Sequence, residues 1–146
     1  ASLVVDGLYR EVLEQDFAAA AFRANPSLEA AEREIRASFG SLAGAVWPQW
    51  RAKLEARTRR DLEGLQDHEQ PIKEHIRRTL DLGAKVRTAL TAAGAPLRAA
   101  DLGIGDDELA AAARLGRTIR TRFTALDVAA ELGILEGFAE RLAAGG

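Results

Sequence analysis

Apolar residues recur along this chain at helical intervals and almost nowhere at alternating ones. Val5, Leu8, Val12 and Leu13 share one face, which predicts a first helix from about Ser2 to Arg23, closed by Asn25-Pro26. Asn25 is placed to cap the next helix, and Pro26 suits a first helical position, where no N–H is needed. Leu28, Ala31, Ile35 and Phe39 carry that helix to a stop at Gly40. Leu42, Val46, Trp50 and Leu54, continued by Leu62 and Leu65, predict a third helix over Ser41 to about Gln66, begun or kinked at Pro48. Asp67 to Pro71 reads as a break, because the residue before a proline is steered out of helical space. Ile72, Ile76 and Leu80 then open a short helix that Gly83 is expected to interrupt. Ala84 to Ala93 turns Val86 and Leu90 inward and stops at Gly94, with Pro96 just beyond.

The last third of the chain carries the clearest punctuation. Leu97 to Gly105 has no helical period and predicts an ordered loop pinned by Leu102 and Ile104. Asp106 is the expected cap of the helix that follows, with Asp107 and Glu108 complementing the positive end of its dipole. Leu109, Ala112, Ala113, Gly116 and Ile119 make a narrow face that permits close helix approach. Thr124-x-x-Asp127 predicts a capping box and Gly133 a stop, leaving Ile134, Leu135, Phe138 and Leu142 to a final helix. Strand propensity is low throughout, and no repeat or low-complexity linker divides the sequence. An all-α multi-helix bundle forming a single domain over 1–146 is expected. Leu3, Val4, Val5, Leu8 and Tyr9 already run at helical spacing from Ala1 with no preceding cap, so the chain reads as a fragment of a longer protein.

Composition narrows the classes of function. A chain of 146 residues can bury about 68–70% of its unfolded surface. No apolar run approaches the roughly 20 residues needed to cross a bilayer, so neither membrane nor secretion is indicated. The absence of cysteine removes disulfides, thiolate metal sites and a cysteine nucleophile, and fits a cytoplasmic protein. Lys and Arg number 20 against 22 Asp and Glu, so no overall field draws the chain toward nucleic acid.

Candidate chemistry is sparse. His68 and His75 lie seven positions apart across Pro71, and solvated histidines near a helix break describe them better than metal ligands, even with Asp67, Glu69 and Glu74 close by. No Gly-x-Ser-x-Gly elbow is present, Asp106 and Asp107 look like a helix start, and Leu102-Gly-Ile-Gly-Asp lacks the preceding strand of a phosphate cradle. No catalytic, cofactor-binding or metal residue is assigned. Arg114, Arg117 and Arg120 recur every three positions along a drifting helix face, with Arg122 beyond; such a row can hold phosphate or sit solvated among carboxylates. Arg57, Arg59, Arg60, Lys73, Arg77 and Arg78 form a second basic region, diluted by Asp61, Glu63 and Glu74 and without interleaved aromatics, so nucleic acid is not an expected partner. Trp47 and Trp50 read as core anchors.

Four strings in register remain: Leu90-x-x-Ala93-Gly94-Ala95-Pro96, Leu102-Gly103-Ile104, Ile119-Arg120-x-Arg122-Phe123-Thr124-x-Leu126-Asp127, and Leu132-Gly133-x-Leu135. Together they resemble the C-terminal helical domain of sn-glycerol-1-phosphate dehydrogenases, in the superfamily of iron-type alcohol dehydrogenases and dehydroquinate synthases. Phe39-Gly40 and the tryptophan-bearing helix are similar too, although the likeness is specific only from about Leu80. The resemblance implies a two-domain, metal-dependent NAD(P) enzyme that reduces dihydroxyacetone phosphate, its divalent metal being zinc, nickel or iron. The implied partner of this chain is then an N-terminal nucleotide-binding domain. The family's aspartate and two histidine ligands, the last in a His-Gly-Glu stretch leading into a helix that Ala1 to Gln15 resembles, would all precede Ala1. This chain is therefore expected to be a scaffold holding no cofactor of its own, with Arg120 or Arg122 facing the substrate phosphate or pairing with Asp127 or Glu131. The competing expectation is a free-standing helical interaction module that recruits a partner, a second copy of itself included.

Overall fold

Where the sequence carries strong local stop signals, the chain obeys them. The computed structural model describes the backbone of residues 2–20, 25–57 and 59–145, and all regular structure among them is helical. The α-helices are α1 (Ser2–Glu14), α2 (Leu28–Phe39), α3 (Ala43–Ala56), α4 (Arg59–Asp67), α5 (Glu69–Ala92), α6 (Asp106–Leu115), α7 (Ala125–Glu131) and α8 (Leu135–Ala143), with single 3-10 turns at Phe17–Ala19, Gly40–Leu42 and Ala100–Leu102. The all-α architecture is as the periodicity requires. Gly40, Gly94 and Gly133 end their helices with φ of 51°, 66° and 77°, conformations in which a Cβ would be strained.

Several boundaries differ from the expected ones, each for a local reason. The first helix stops at Glu14 rather than Arg23: the Asp16 carboxylate accepts the Ala18 amide at 3.0 Å, bending the chain into the turn that buries Phe17 completely. The rest of the expected helix, 21–24, lies outside the described residues. Asn25 does not cap α2. Ser27 does, its Oγ accepting the Ala30 N–H at 3.1 Å, and Pro26 therefore sits outside the helix. The predicted third helix is split near Arg57 into α3 and α4, and Pro48 lies within α3 on an exposed face. Leu42 is 65% exposed and leaves the stripe, while Val46, Trp50 and Leu54 are buried. The Leu62 side chain lies outside the described residues. The break before α5 shrinks to His68, because Pro71 falls in the first turn of α5, where its missing N–H is not needed. At the start of α6, Gly105 holds the cap position expected for Asp106, and Glu108 Oε2 accepts the Gly105 N–H at 3.0 Å.

Gly83 does not interrupt α5. A Cβ there would stand 3.1 Å from Asp6 Oδ1, so the glycine leaves room for the Asp6 carboxylate of α1 beside a continuous helix, at an intrinsic helix penalty of roughly 1 kcal/mol. Beyond Gly83 the helix runs out over solvent: Leu82 is 61% and Val86 41% exposed, so Val86 does not turn inward. Leu102 and Ile104 are exposed as well, and the loop they were expected to pin is held by Asp101 instead. Its Oδ2 accepts the backbone N–H of Arg98 at 3.0 Å and of Leu97 at 3.3 Å, and Oδ1 meets the Arg98 guanidinium at 3.2 Å.

Those bonds, the Arg98 amide first, hold the Asp101 carboxyl below the usual carboxylate range. The folded chain thus takes up this proton less readily than the unfolded one. The clamp contributes fully above about pH 4 and is lost as pH falls through the lowered folded value. Amide-exchange protection at Leu97 and Arg98 is expected to drop as pH is lowered below about 4, and to be low at every pH in Asp101→Ala. Protection in the wild type that ignored pH would remove this role from Asp101.

Two apolar cores result. The larger joins Leu8, Val12, Phe17, Leu65, Ile76, Ala110, Ala113, Ala129, Leu135 and Phe138, drawn from α1 and from α4 through α8. Alanines let α6 approach α8: of the expected face Ala113 is buried and Leu109 and Gly116 are half-buried, whereas Ala112 and Ile119 are exposed and Ala110 is buried in their place. Gly116 is tightly packed against α7: a Cβ would meet Leu126 Cδ1 at 2.9 Å. The smaller core belongs to a hairpin. Ala31, Ile35, Ala43, Val46, Trp50 and Leu54 are buried between α2 and α3, with Phe39 and Trp47 packed on them. Among the described residues these two helices pack closely on each other and on the turn joining them, and broadly on no other helix.

Candidate functional site

Polar chemistry attaches the hairpin to the larger core. Lys53 lies in the last turn of α3 and Arg57, four residues on, caps its C-terminus, while Asp127 and Glu131 stand one turn apart on α7. Lys53 Nζ meets Asp127 Oδ2 at 2.7 Å. Arg57 grips Glu131 through both oxygens, Nε to Oε1 at 2.5 Å and a terminal nitrogen to Oε2 at 2.6 Å. The pairs keep the same order along both helices, so α3 and α7 run past each other in the same direction. All four side chains are largely buried, the most exposed being Arg57 at 18%. A carboxylate and a cation removed from water need further hydrogen bonds to offset desolvation, and both pairs have them. Arg57 also donates to Asn25 Oδ1 at 2.6 Å, while Asn25 Nδ2 donates to the Leu54 carbonyl at 2.7 Å.

Lys53 organises the loop between α6 and α7. Besides Asp127 its ammonium donates to the carbonyls of Arg117 at 3.0 Å and Arg122 at 2.9 Å, filling its three-donor capacity. Asp127 Oδ2 also accepts from Thr124, 2.7 Å from both its N–H and its hydroxyl. The Thr124–Asp127 capping motif therefore forms, with the Asp127 amide going to the Thr124 carbonyl at 3.0 Å rather than to the hydroxyl. One aspartate starts α7 and receives the cation that ties down the loop.

The arginine row does not form one face, because α6 ends at Leu115. Arg114 pairs with Glu136 at 2.9 Å, Arg117 turns in over Trp50, and Arg120 and Arg122 stand exposed. Neither Arg120 nor Arg122 pairs with Asp127 or Glu131, since Lys53 and Arg57 already hold those carboxylates. Among the described residues no ion pair reaches Arg120 or Arg122. Trp50 is an anchor of the hairpin core, 5% exposed, and Trp47 is half-buried.

The second basic region disperses. Arg57 belongs to the seam, while Lys73 is buried between Glu69 at 2.7 Å and the Gln15 carbonyl at 2.5 Å, above the Phe17 ring. Arg77 and Arg78 are exposed on α5, and the side chains of Arg59 and Arg60 lie outside the described residues. His68 and His75 border a cavity of about 490 Å³ between α1, α5 and α7 lined mainly by apolar side chains, and His68 Nδ1 lies 2.7 Å from the Gly64 carbonyl. Among the described residues no three His, Asp or Glu side chains gather as a metal would require. No described helix is long and apolar enough to cross a membrane.

No family model matches the chain, and no curated protein or solved structure matches it either.

Proposed function

We propose that this chain is the C-terminal helical domain of an sn-glycerol-1-phosphate dehydrogenase-like enzyme, acting as a scaffold beside a separate nucleotide-binding domain. The observation that carries the reading is the 116–124 loop. Lys53 ties its two ends, and the Arg120-x-Arg122-Phe-Thr string within it leaves both guanidiniums exposed and unpaired among the described residues, as recognition of an anionic substrate requires. A second support is apolar surface: Leu82, Val86, Leu102 and Ile104, in and beside two of the four family-like strings, are all more than a third exposed. Gathered into one patch, residues of that kind mark a surface that another domain or protein covers. In the parent enzyme NAD(P) and a divalent metal would be held by the other domain and by residues preceding Ala1, in the cytoplasm.

Purified alone, the chain is expected to oxidise no NADH with dihydroxyacetone phosphate, and measurable turnover would end the scaffold reading. Arg122→Ala in the full-length protein should raise KM for that substrate about tenfold or more, the effect of a lost charged hydrogen bond. An unchanged KM with lowered stability would make the arginine structural. The exposed apolar residues equally favour a free-standing interaction module, a homodimer included. An in-frame upstream sequence encoding a glycine-rich turn, an aspartate and a His-Gly-Glu stretch decides for the enzyme, and its absence for the module.

A further inference from the structure

Arg117 is the cation that the seam leaves over. It follows α6 directly, and its Cζ lies 5.0 Å from the centre of the Trp50 ring. Burial pulls its guanidinium below the usual arginine range, against the raising influence of Asp127 and Glu131. Among the described residues no carboxylate stands within ion-pair distance of it. The nearby acids are engaged: both oxygens of Glu131 by Arg57, Glu136 by Arg114 and Asp127 by Lys53. A guanidinium has five N–H donors, and stacking on an indole face uses none of them.

Arg117 also lines a cavity of about 220 Å³ between the hairpin and the larger core, with Asn25, Arg57, Glu131 and Glu136 on its wall. Glu131 and Glu136 are neutralised by Arg57 and Arg114, which leaves the charge of Arg117 in excess. We propose that this cavity is a binding site for a small carboxylate monoanion, received by the planar fork of Arg117. Charge decides the class. One carboxylate cancels the excess, whereas a phosphate dianion would bring surplus negative charge against two glutamates. At about 220 Å³ the cavity is smaller than the roughly 300 Å³ at which ordinary ligand sites begin, which suits a small acid. The site needs neither the second domain nor Arg120 and Arg122, so it stands or falls separately from the dehydrogenase reading.

Tryptophan emission tests it, because Trp50 lies under Arg117 and both tryptophans of the chain are in α3. Sodium acetate is titrated against sodium chloride at constant ionic strength. A saturable change with half-effect near roughly millimolar concentration is expected for acetate and not for chloride, an affinity of about 4 kcal/mol. Arg117→Gln should abolish it and Arg33→Gln, an exposed arginine on α2, should keep it. Arg117→Lys retains charge without the fork and should bind about tenfold more weakly, which keeps the test open if Arg117→Gln fails to fold. A flat acetate titration, the same response to chloride, a response surviving in Arg117→Gln, undiminished affinity in Arg117→Lys, or tighter binding of inorganic phosphate than acetate would each overturn the proposal.

Discussion

Asp127→Ala is expected to lower the unfolding free energy by about 3–5 kcal/mol, the usual cost of stranding one member of a buried ion pair. Its Oδ2 takes the Lys53 ammonium and both polar groups of Thr124, so the substitution strips the seam and the start of α7 together. Combining it with the loss of its partner, as Lys53→Met with Asp127→Leu, should recover at least half of that loss, because no buried charge then lacks a counter-ion. Urea denaturation followed both by tryptophan emission and by far-ultraviolet circular dichroism reads the effect. The emission transition in Asp127→Ala should precede the dichroism transition, since the tryptophans report on the hairpin and the dichroism on every helix. A loss below about 1 kcal/mol would mean that the seam contributes little.

Phe17→Ala attacks the other core. Phe17 is fully buried in the turn after α1, and removal of such a ring costs about 3–5 kcal/mol through lost burial and an unfilled cavity. Lys73, whose ammonium lies 5.4 Å from the ring centre, would face that void. Here dichroism should change no later than tryptophan emission, because the damage lies outside the hairpin. The reverse order would contradict the separation of the two cores.

The contrast between these two variants shows what local sequence reveals. Gly94, Gly133 and the Thr124–Asp127 cap were legible because each acts within a few residues: a positive φ needs glycine, and a short polar side chain reaches its own helix start. Asn25 misled because its amide has a distant use, at Leu54 and Arg57, leaving Ser27 to cap. Gly83 misled because its reason is the approach of Asp6 from another helix. The seam was hidden for the same cause: its partners are 74 residues apart. One signal did point to it. Two cations at i and i+4 at the end of one helix match two acids at i and i+4 on another, an ordered complementarity that a pass along single helices does not test. The arginines were read as a row on the premise of a continuous helix, and the end of α6 at Leu115 sends Arg117 inward and Arg120 outward.

A joint made of ion pairs has its own thermal behaviour. Parting the seam would hydrate charged and amide groups, whose contribution to heat capacity opposes that of hydrocarbon. The free energy of that joint should accordingly vary little between refrigeration and moderate warmth, while each apolar core follows the usual curved profile. Hydration of charge also becomes less favourable on heating, so warming tightens this contact relative to the cores it connects.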